Sequence, residues 1–193
     1  MTEKEKAMLG LPFRQGDPDL AQARTRAKDL CFELNHTRPS DAEECSRILR
    51  SLIGEIRGGF KINPPFYCDY GTYITLGERF FANYNLTILD GGKVTFGTDV
   101  KIGPNCSFIT VNHSMDPQQR KEGVQVFLPI TVGNNVWFGA NVTVLPGVTI
   151  GDNSVIAAGS VVSRDIPANV FAAGTPCRVK RVLCEDDRWK LTE

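Results

Sequence analysis

The sequence predicts a mainly β protein, a parallel β-helix with a short α-helical region in front of it, and three observations support this fold class. An apolar residue returns at every sixth position, a glycine often follows it, and the fifth position of each unit is small. The recurring apolar residues are Val132, Phe138, Val144, Ile150, Ile156 and Val162. A period of six fits neither a helix, with its period of about 3.6, nor the period of two that a β-sandwich, the alternative fold, would show. It is typical of a solenoid with three short flat faces per coil.

The N-terminal region, residues 1–58, is predicted to be helical. Apolar residues recur at helical spacing over residues 21–34, and Pro39 is typical of the end of such a helix. Residues 40–43 read Ser-Asp-Ala-Glu and resemble a capping box, which predicts a second helix that runs towards Ile56. We therefore expect two helices ahead of the β-helix.

Residues 59–177 are predicted to form the β-helix itself. The six-residue spacing also holds in an earlier run from Leu76, and its phase slips by two residues before Phe96. Asparagine, aspartate and glycine follow the apolar positions and suit corners at which φ is positive. The pattern disappears over residues 110–129, which predicts an extruded loop of a length that is uncommon unless the loop is functional or disordered. The tail, residues 178–193, is expected to be helical or irregular.

Composition argues against several classes of partner. The chain has 22 Lys and Arg and 22 Asp and Glu among its 193 residues, so its formal net charge is zero. That balance argues against bulk electrostatic binding of nucleic acid or of an anionic membrane. No apolar run approaches a membrane span, and the charged N-terminus lacks the apolar core of a signal peptide. The six cysteines lack metal-ligand spacing, so we expect free thiols, no metal and a cytoplasmic location.

A histidine stands at the start of the predicted loop. His113 follows Asn112 and is one of two histidines in the chain. Histidine is the side chain best suited to proton transfer near neutral pH, so His113 is a candidate general base. Residue type alone leaves open the alternative of a surface histidine at the root of a loop.

Three stretches resemble the signature of hexapeptide-repeat acyltransferases. They are residues 134–139, 146–153 and 173–176. More narrowly, the chain resembles the maltose and galactoside O-acetyltransferases. The residues that carry this resemblance are Asn35-His36, Asp69-Tyr70-Gly71, Phe80-Phe81-Ala82-Asn83, Leu89-Asp90 and the loop with Pro117 after His113. The resemblance extends over nearly the whole chain, from Lys4 to about Arg181.

The resemblance implies an assembly and a reaction. Three left-handed β-helices would form a homotrimer, with acetyl-coenzyme A (acetyl-CoA) in the groove between neighbours and the acceptor sugar nearby. His113 matches the catalytic base of the family, which removes the proton from a sugar hydroxyl, typically the 6-hydroxyl, for direct attack on the thioester. The backbone at Ala140 matches the donor to the oxyanion. We therefore expect an acetyl-CoA-dependent O-acetyltransferase that acts on a sugar such as maltose, glucose or a galactoside.

The resemblance also implies residues that contact the acceptor. They are Asp17, Arg24, Asp69, Asn83 and Asp90. Carboxylates and amides suit a polyol because each takes part in several hydrogen bonds with hydroxyl groups. Two alternatives stay open, since Asp17 could cap a helix and Asp90 could be a turn residue. Gly91 stands where some relatives have a second acid, a difference that bears on the acceptor rather than on the reaction.

For acetyl-CoA, the resemblance implies a second set of residues. They are Asn83, Trp137, Ala140, Ala158, Ser163, Arg164, Arg178 and Arg181. Arginine suits the phosphates because its guanidinium donates two parallel hydrogen bonds. Trp137 is expected to form a wall of the thioester channel, with packing at the trimer interface as the alternative.

Other functions stay open at this point. The same base could serve another acceptor, such as an amino sugar, serine or an antibiotic hydroxyl. A zinc enzyme of the γ-class carbonic anhydrase type would need three histidine ligands, and the chain has two histidines. A non-catalytic solenoid scaffold would need no histidine at the root of the loop.

Overall fold

The computed structural model describes residues 1–190 and confirms the predicted fold class, a mainly β protein built around a parallel β-helix. Its helices are α1 (Glu3–Met8), α2 (Pro18–His36), α3 (Ala42–Leu52) and α4 (Pro117–Lys121). A single 3-10 turn covers Glu185–Asp187 within the described residues. No helix among residues 1–190 has both the length and the apolar character that a membrane crossing requires.

Three sheets form the faces of the β-helix, and the chain passes from face I to face II to face III in each coil. Face I contains β2 (Glu55–Ile56), β5 (Ile74–Leu76), β8 (Val94–Phe96), β13 (Ile130–Val132) and β16 (Thr149–Ile150). Face II contains β3 (Phe60–Ile62), β6 (Phe80–Ala82), β9 (Lys101–Ile102), β14 (Trp137–Phe138), β17 (Val155–Ile156), β19 (Val170–Ala173) and β20 (Arg178–Val182). Face III contains β4 (Phe66–Cys68), β7 (Leu86–Leu89), β10 (Ser107–Ile109), β15 (Thr143–Val144) and β18 (Val161–Val162). The turns between faces are called the I–II, II–III and III–I corners.

The six-residue apolar positions form the interior, as predicted. Phe80, Phe96, Phe108 and Phe138 are all buried and form a column of rings inside the coils. Successive ring centroids lie 5.1, 5.0 and 5.2 Å apart, and the last two contacts are edge-to-face. Such contacts each contribute about 0.5–1.5 kcal/mol beyond the burial of apolar area. The column therefore ties consecutive coils together.

Asparagine at the corners confirms the expected positive φ. At the I–II corner, φ is 53° at Asn135, 60° at Asn153 and 60° at Asn169. Asparagine enters this left-handed region more easily than most L-residues. The amides also form a ladder, in which Asn135 Nδ2 donates to Asn153 Oδ1 at 3.1 Å and Asn153 Nδ2 donates to Asn169 Oδ1 at 2.9 Å. Gly133 at the same corner has no room for a side chain, since a Cβ there would clash with Oδ1 of Asp152.

The two-residue slip in the sequence pattern arises at the III–I corner. Coils that start at Ile56 and Leu76 contain 20 residues, two more than the regular 18 of the later coils. The surplus lies in the turns at residues 69–73 and 90–93, and the next coil carries the segment 110–129 at the same corner. The long insertions of the β-helix therefore all project from one corner.

Helices α2 and α3 cover the first coil. Their buried side chains join the core of the β-helix, and they are Ala27, Cys31, Leu34, Ile48, Leu49 and Leu52. Asn35 takes the place of a neighbouring strand, because its Oδ1 accepts from the backbone N–H of Phe66 at 2.8 Å and its Nδ2 donates to the Phe66 carbonyl at 3.0 Å. This pairing protects the edge of face III that would otherwise be open.

The second helix is shorter than predicted. It ends at Leu52 rather than near Ile56, because Ile56 already pairs with Leu76 in the first coil. Its N-cap is Asp41 rather than Ser40, and the Asp41 carboxylate accepts a backbone N–H of the first turn at 3.2 Å. The first strand of the β-helix consequently begins before residue 59.

The predicted extruded loop is folded. It contains β11 (Val111–His113) and β12 (Val124–Phe127), which pair antiparallel, and α4 connects them. A strand from the N-terminal region, β1 (Phe13–Arg14), pairs with β12 as the third strand. We call β1, β12 and β11 the hairpin sheet.

The expectation of a helical or irregular tail is wrong for its first residues. Strand β20 pairs antiparallel with β19 and closes the upper edge of face II. A hydrogen-bonded strand at this position protects an edge that would otherwise present unpaired backbone groups. The last three residues of the predicted tail lie outside the described residues.

Candidate active site

His113 ends strand β11, and its side chain is exposed. It lies directly opposite Gln125 of β12, which lies opposite Phe13 of β1. Residues paired in this way project their side chains from the same face of a sheet. Val111, two residues before His113, projects from that face as well. His113 and Gln125 therefore share one face of the hairpin sheet, which we call its inner face.

The inner face covers the III–I corner. The rings of Phe13 and Phe127 lie 4.7 Å apart, and both pack with Tyr70 of the corner and Leu20 of α2. His113 stands two residues along β11 from this contact, a distance of roughly 7 Å. The imidazole is thus at the edge of the apolar cluster, where the hairpin sheet meets solvent.

Polar groups gather at the same corner, directly after β4. Arg24 of α2 donates from Nη1 to Tyr70 Oη at 2.9 Å, and its guanidinium carbon lies 5.7 Å from the centre of the tyrosine ring. Burial raises the pKa of the neighbouring Asp69 carboxyl, while the positive charges of Arg24 and Lys28 oppose that rise. Burial also raises the pKa of Tyr70 to about 12, so the phenol is protonated at neutral pH. The corner thus combines a half-buried carboxylate, a cation and a phenol.

Asp90 is fully buried behind this patch. Its carboxylate accepts the backbone N–H groups of Asp69 at 3.0 Å, of Tyr70 at 2.8 Å and of Tyr73 at 3.3 Å. Burial raises the pKa of Asp90 to about 6, although these N–H groups favour the charged form. Asp90 offers no exposed surface to a sugar. The structure therefore favours the alternative of a turn residue, and Asp90 supports the turn that carries Asp69.

Asp17 caps helix α2, which is the structural alternative that the sequence left open. Its Oδ1 accepts the backbone N–H groups of Asp19 at 3.0 Å and of Leu20 at 3.2 Å. Its Oδ2 accepts no hydrogen bond from the protein within residues 1–190. The side chain is half-buried. The cap therefore leaves one carboxylate oxygen available at the N-terminus of the helix that also carries Arg24.

Ser163 and Arg164 lie at the III–I corner too, but two coils further along the β-helix than His113. Both are exposed. Coils are separated by about 4.8 Å, so these residues lie roughly 10 Å along the axis from the root of the hairpin sheet. The III–I corner therefore carries His113 at one coil and Arg164 two coils further along the axis.

A second group of predicted residues lies at the II–III corner. Asn83 follows β6, Ala140 follows β14 and Ala158 follows β17, so the three are stacked along the axis. Asn83 is half-buried, and its Oδ1 accepts the backbone N–H of Tyr84 at 2.8 Å. The backbone N–H of Ala140 meets no acceptor within residues 1–190. An N–H of this kind is free to donate to a ligand.

Trp137, Arg178 and Arg181 belong to face II. The indole of Trp137 is 55% exposed on the outer side of β14. Arg178 donates from Nη1 to the carbonyl of Cys177 at 2.7 Å. Arg181 is paired with Asp187, with Nη1 donating to Oδ2 at 2.7 Å, so an anionic ligand would have to compete with that carboxylate. The outer side of face II thus offers an exposed aromatic surface with arginines at its upper end.

A single chain does not bring the two groups together. Strands of face III run from the II–III corner to the III–I corner, so Asn83 and Ala140 lie at one edge of this face and His113 at the other. The III–I corner that the hairpin sheet of His113 covers carries Asp69 and the buried Asp90, with Arg24 bound to its Tyr70, and Asp17 caps the helix that carries Arg24. The far edge carries Asn83, Ala140 and Ala158, and the outer side of face II carries Trp137, Arg178 and Arg181.

Sequence reasoning missed three residues of the III–I corner. Tyr70 accepts a hydrogen bond from Arg24, and the positive charge of Lys28 acts to lower the pKa of Asp69. Gln125 projects from the same face of the hairpin sheet as His113. The strand-favouring residues Val124, Val126 and Phe127 are the signal that could have identified a strand there. A strand paired with the root of the loop would have placed Gln125 beside His113.

The arrangement suits proton transfer and polyol binding rather than metal chemistry built on protein ligands. No group of three His, Cys, Asp or Glu side chains among residues 1–190 could hold a metal ion. The chain instead presents an exposed imidazole, carboxylates with unused oxygens and an open backbone donor. These groups match the transfer of an acyl group to a hydroxyl.

Comparison with known proteins gives two family matches and several similar structures. Residues 6–58 match the family described as maltose acetyltransferase hexapeptide capping motif, and residues 129–164 match bacterial transferase hexapeptide (six repeats). The galactoside O-acetyltransferase of Escherichia coli K12 is 44% identical over 97% of this chain and 92% of its own length. A galactoside acetyltransferase solved in complex with coenzyme A superposes with a TM-score of 0.95 and 41% identity, over 100% of this chain and 96% of that one. The maltose O-acetyltransferase from Clostridium difficile 630 gives a TM-score of 0.93 and 42% identity, over 96% of this chain and 99% of that one.

Proposed function

The chain belongs to the maltose and galactoside O-acetyltransferase family of hexapeptide-repeat proteins, and from this premise we propose that it transfers an acetyl group from acetyl-CoA to a sugar hydroxyl. Membership makes it an acetyltransferase that acts with coenzyme A, as the sequence predicted. One observation above all supports a sugar acceptor: the exposed His113 ends β11 in the sheet that covers a corner with a half-buried carboxylate and a half-buried guanidinium.

His113 is the general base in this proposal. A ring nitrogen takes the proton of the acceptor hydroxyl as the oxygen attacks the thioester carbonyl carbon. The same imidazole then returns the proton to the sulfur as the carbon–sulfur bond breaks, so the histidine ends in its starting state. A sugar hydroxyl is a poor nucleophile at neutral pH, and a positioned base contributes about 10²–10⁴ in rate.

Ala140 supplies the donor to the developing oxyanion. Its backbone N–H has no acceptor in the described part of the chain, and the residue is half-buried. A donor that is already oriented needs no reorganisation when negative charge develops on the carbonyl oxygen. Because the donor belongs to the main chain, its position is set by the coils stacked above and below rather than by a rotamer.

The acceptor lies between the inner face of the hairpin sheet and the III–I corner. Asp69 and the free Oδ2 of Asp17 accept hydrogen bonds from hydroxyl groups, and Arg24 donates to hydroxyl or ring oxygens. Asp90 acts through the turn that it holds. We expect transfer to the 6-hydroxyl, a primary alcohol that extends from the ring and reaches a base with the least crowding.

Acetyl-CoA lies in the groove between neighbouring copies and runs parallel to the axis of the β-helix. Acetyl-CoA supplies an activated acetyl thioester, so no acyl-enzyme is needed. Trp137 and the small residues Ala140 and Ala158 border the thioester and the pantetheine arm. Arg164, Arg178 and Arg181, together with Ser163, provide donors for the phosphates at the upper coils.

The site is completed by a second copy of the chain. His113 and the acceptor groups lie at the III–I edge of face III, whereas the oxyanion donor and most groups proposed for acetyl-CoA lie at its other edge or on face II. Ser163 and Arg164 are the exceptions, since they lie at the III–I corner two coils further along the axis. In a homotrimer, the III–I corner of one copy meets the II–III corner and face II of the next. Asn83 then approaches the acceptor from the neighbouring copy. The exposed rings of Trp137 and Tyr84, at 55% and 57%, are apolar surface that such contact would bury.

The first test is product formation with a panel of acceptors. Native protein, acetyl-CoA and each of maltose, glucose, a galactoside, an amino sugar and serine are incubated, and acetylated product is measured by mass spectrometry. We expect product with sugars and a loss of 10²-fold or more in His113→Ala, as for the removal of a general base.

The second histidine provides a matched control. His36 lies at the end of α2, its ring stacks on Phe32 at 4.1 Å, and its Nδ1 lies 2.8 Å from the carbonyl of Phe32. His36→Ala should keep activity within about threefold, which separates a general effect of losing a histidine from the role of His113. Equal activity of native protein and His113→Ala would refute the base, and product with the amino sugar or serine alone would refute the sugar acceptor.

A further inference from the structure

Gln125 is a buried side chain whose amide has no hydrogen-bond partner among the residues that the structure describes. It is 6% exposed, yet neither its Oε1 nor its Nε2 takes part in a hydrogen bond with any residue of the described range 1–190. No fully enclosed side-chain nitrogen or oxygen in that range lacks a partner. The amide of Gln125 therefore reaches accessible space, while the rest of the side chain is covered.

The surroundings of Gln125 combine apolar cover with one polar neighbour. Phe13 lies opposite on one side, Phe127 lies two residues along the strand, and His113 lies opposite on the other side. Because the amide reaches accessible space, water can bind it in the free protein, and a ligand hydroxyl can replace that water. The covered stem and the accessible amide therefore give Gln125 the geometry of a ligand-binding side chain.

The amide lies beside the proposed base. Gln125 and His113 are directly paired across β12 and β11, and both project from the inner face. The Cβ atoms of such a pair lie about 4.5–5.5 Å apart. A ligand hydroxyl that approaches the imidazole of His113 thus comes within reach of an amide that carries one acceptor and two donor positions.

We propose that Gln125 binds the acceptor, by hydrogen bonds to a sugar hydroxyl other than the one that is acetylated. This proposal rests on the proposed function. A hydroxyl group both donates and accepts, and an amide complements it in both senses. Because Gln125 projects from a paired strand, the backbone of the hairpin sheet fixes the place from which its amide extends.

The test compares native protein with Gln125→Leu in steady-state kinetics. An interaction made equally in the bound acceptor and in the transition state changes KM without changing kcat. We expect the KM of the sugar to rise about tenfold, which corresponds to about 1.4 kcal/mol, close to the worth of one hydrogen bond. The kcat and the KM of acetyl-CoA should stay within about twofold. Gln125→Met, which keeps the length of the side chain, should behave in the same way and serves if the leucine variant folds poorly.

Monodeoxy sugars separate binding from a structural role. For native protein, removal of the hydroxyl that Gln125 binds should raise KM about tenfold. For Gln125→Leu, removal of the same hydroxyl should change KM by less than about twofold, because the partner is already gone. A merely structural role would leave the two proteins equally sensitive to every deoxy sugar.

Gln118→Leu is the matched control. Gln118 is a glutamine of the same extruded segment, but it is exposed on α4 and its Nε2 donates to Glu122 Oε1 at 3.0 Å. Its substitution should leave the KM of the sugar unchanged. An unchanged KM in Gln125→Leu, with active native protein, would overturn this proposal alone. No sugar-dependent product from native protein would overturn the proposed function and this proposal with it.

Discussion

Substitution of Asp90 by asparagine removes a buried charge and keeps the shape of the side chain. The carboxylate is 0% exposed and accepts three backbone N–H groups from the turn that carries Asp69. Burial disfavours the charged form and raises the pKa from its ordinary value of 3.8 to about 6. Asparagine has no charge to desolvate, so the stability of Asp90→Asn should not follow this titration.

The pKa shift sets the size of the effect. At about 1.36 kcal/mol for each pKa unit, a rise from 3.8 to about 6 corresponds to about 3 kcal/mol. The folded protein holds the Asp90 proton more tightly than the unfolded chain does, so it binds more protons between these two values. This contribution to stability is fully present below the unfolded pKa, near pH 4, and is lost as the pH rises through about 6.

The assay is urea unfolding of native protein and Asp90→Asn at several pH values from about 4 to about 7.5. Both proteins are measured at one concentration, because the proposed trimer would make stability depend on it. The free energy of unfolding of native protein, minus that of the variant, should fall by about 2.5 kcal/mol over this range, because a small part of the effect is already lost at pH 4. Exposed Asp29, replaced by asparagine in the same way, is the control for effects common to any aspartate.

If the free energy of unfolding of native protein, minus that of Asp90→Asn, rises with pH, the conclusion that burial raises the pKa of Asp90 is refuted. Such a rise would mean that the N–H groups of Asp69, Tyr70 and Tyr73 outweigh burial and hold the pKa of Asp90 below its ordinary value. A difference that stays constant would also count against this conclusion, since a carboxyl with a raised pKa must change its charge within this window. Acceptor kinetics at pH 7.5 would show in parallel how far the turn depends on the carboxylate.

Two other substitutions test the core and the oxyanion donor. Phe108→Ala removes the ring between Phe96 and Phe138 and should lower the free energy of unfolding by about 3–5 kcal/mol in urea. Tyr67→Ala, at a ring that is 52% exposed, should change it by less than about 1 kcal/mol, and equal losses in the two variants would contradict the aromatic column. Ala140→Pro deletes the open N–H and should lower kcat by about 10²–10³. Ala140→Ser keeps that N–H and should keep kcat within about threefold, so a similar kcat in both variants would exclude the backbone donor.

The sequence predicts the coils well, because one physical requirement repeats in each of them. An inward apolar residue must stack on its counterpart, and a corner residue must adopt positive φ, so Phe138 and Asn153 stand at predictable places. The ends of the β-helix and its insertions do not repeat this requirement, so the six-residue pattern does not predict them. Strand β20 pairs antiparallel at an edge, and nothing in a six-residue pattern indicates an edge strand. Ile56 belongs to the first coil although it continues the spacing of helix α3.

The candidate site shows the same limit. The sequence and its resemblance name the residue types that acyl transfer needs, and His113 and Asp69 do lie at one corner. Burial is not visible in such a pattern, so Asp90 could not be distinguished from a surface carboxylate. The separation of Asn83 from His113 by the width of face III depends on how faces follow one another along the chain. Gln125 belongs to no motif, and only its pairing across the hairpin sheet places it beside His113.

The III–I corner carries the turns that differ in length from coil to coil, whereas the three faces carry the stacked strands that stabilise the fold. The turns at residues 69–73, 90–93 and 110–129 differ in length, yet the coils above and below them stay in register. Each new coil begins with a strand of face I that pairs with the face I strand of the coil before it. Additions at this one corner therefore cost the stack little, whereas an extra residue on a face would turn apolar side chains outward. Under the proposed function, a change in the length of these turns would alter the acceptor site and leave the stacked coils unchanged. The same corner is where an engineer would graft a loop to give the scaffold a different substrate.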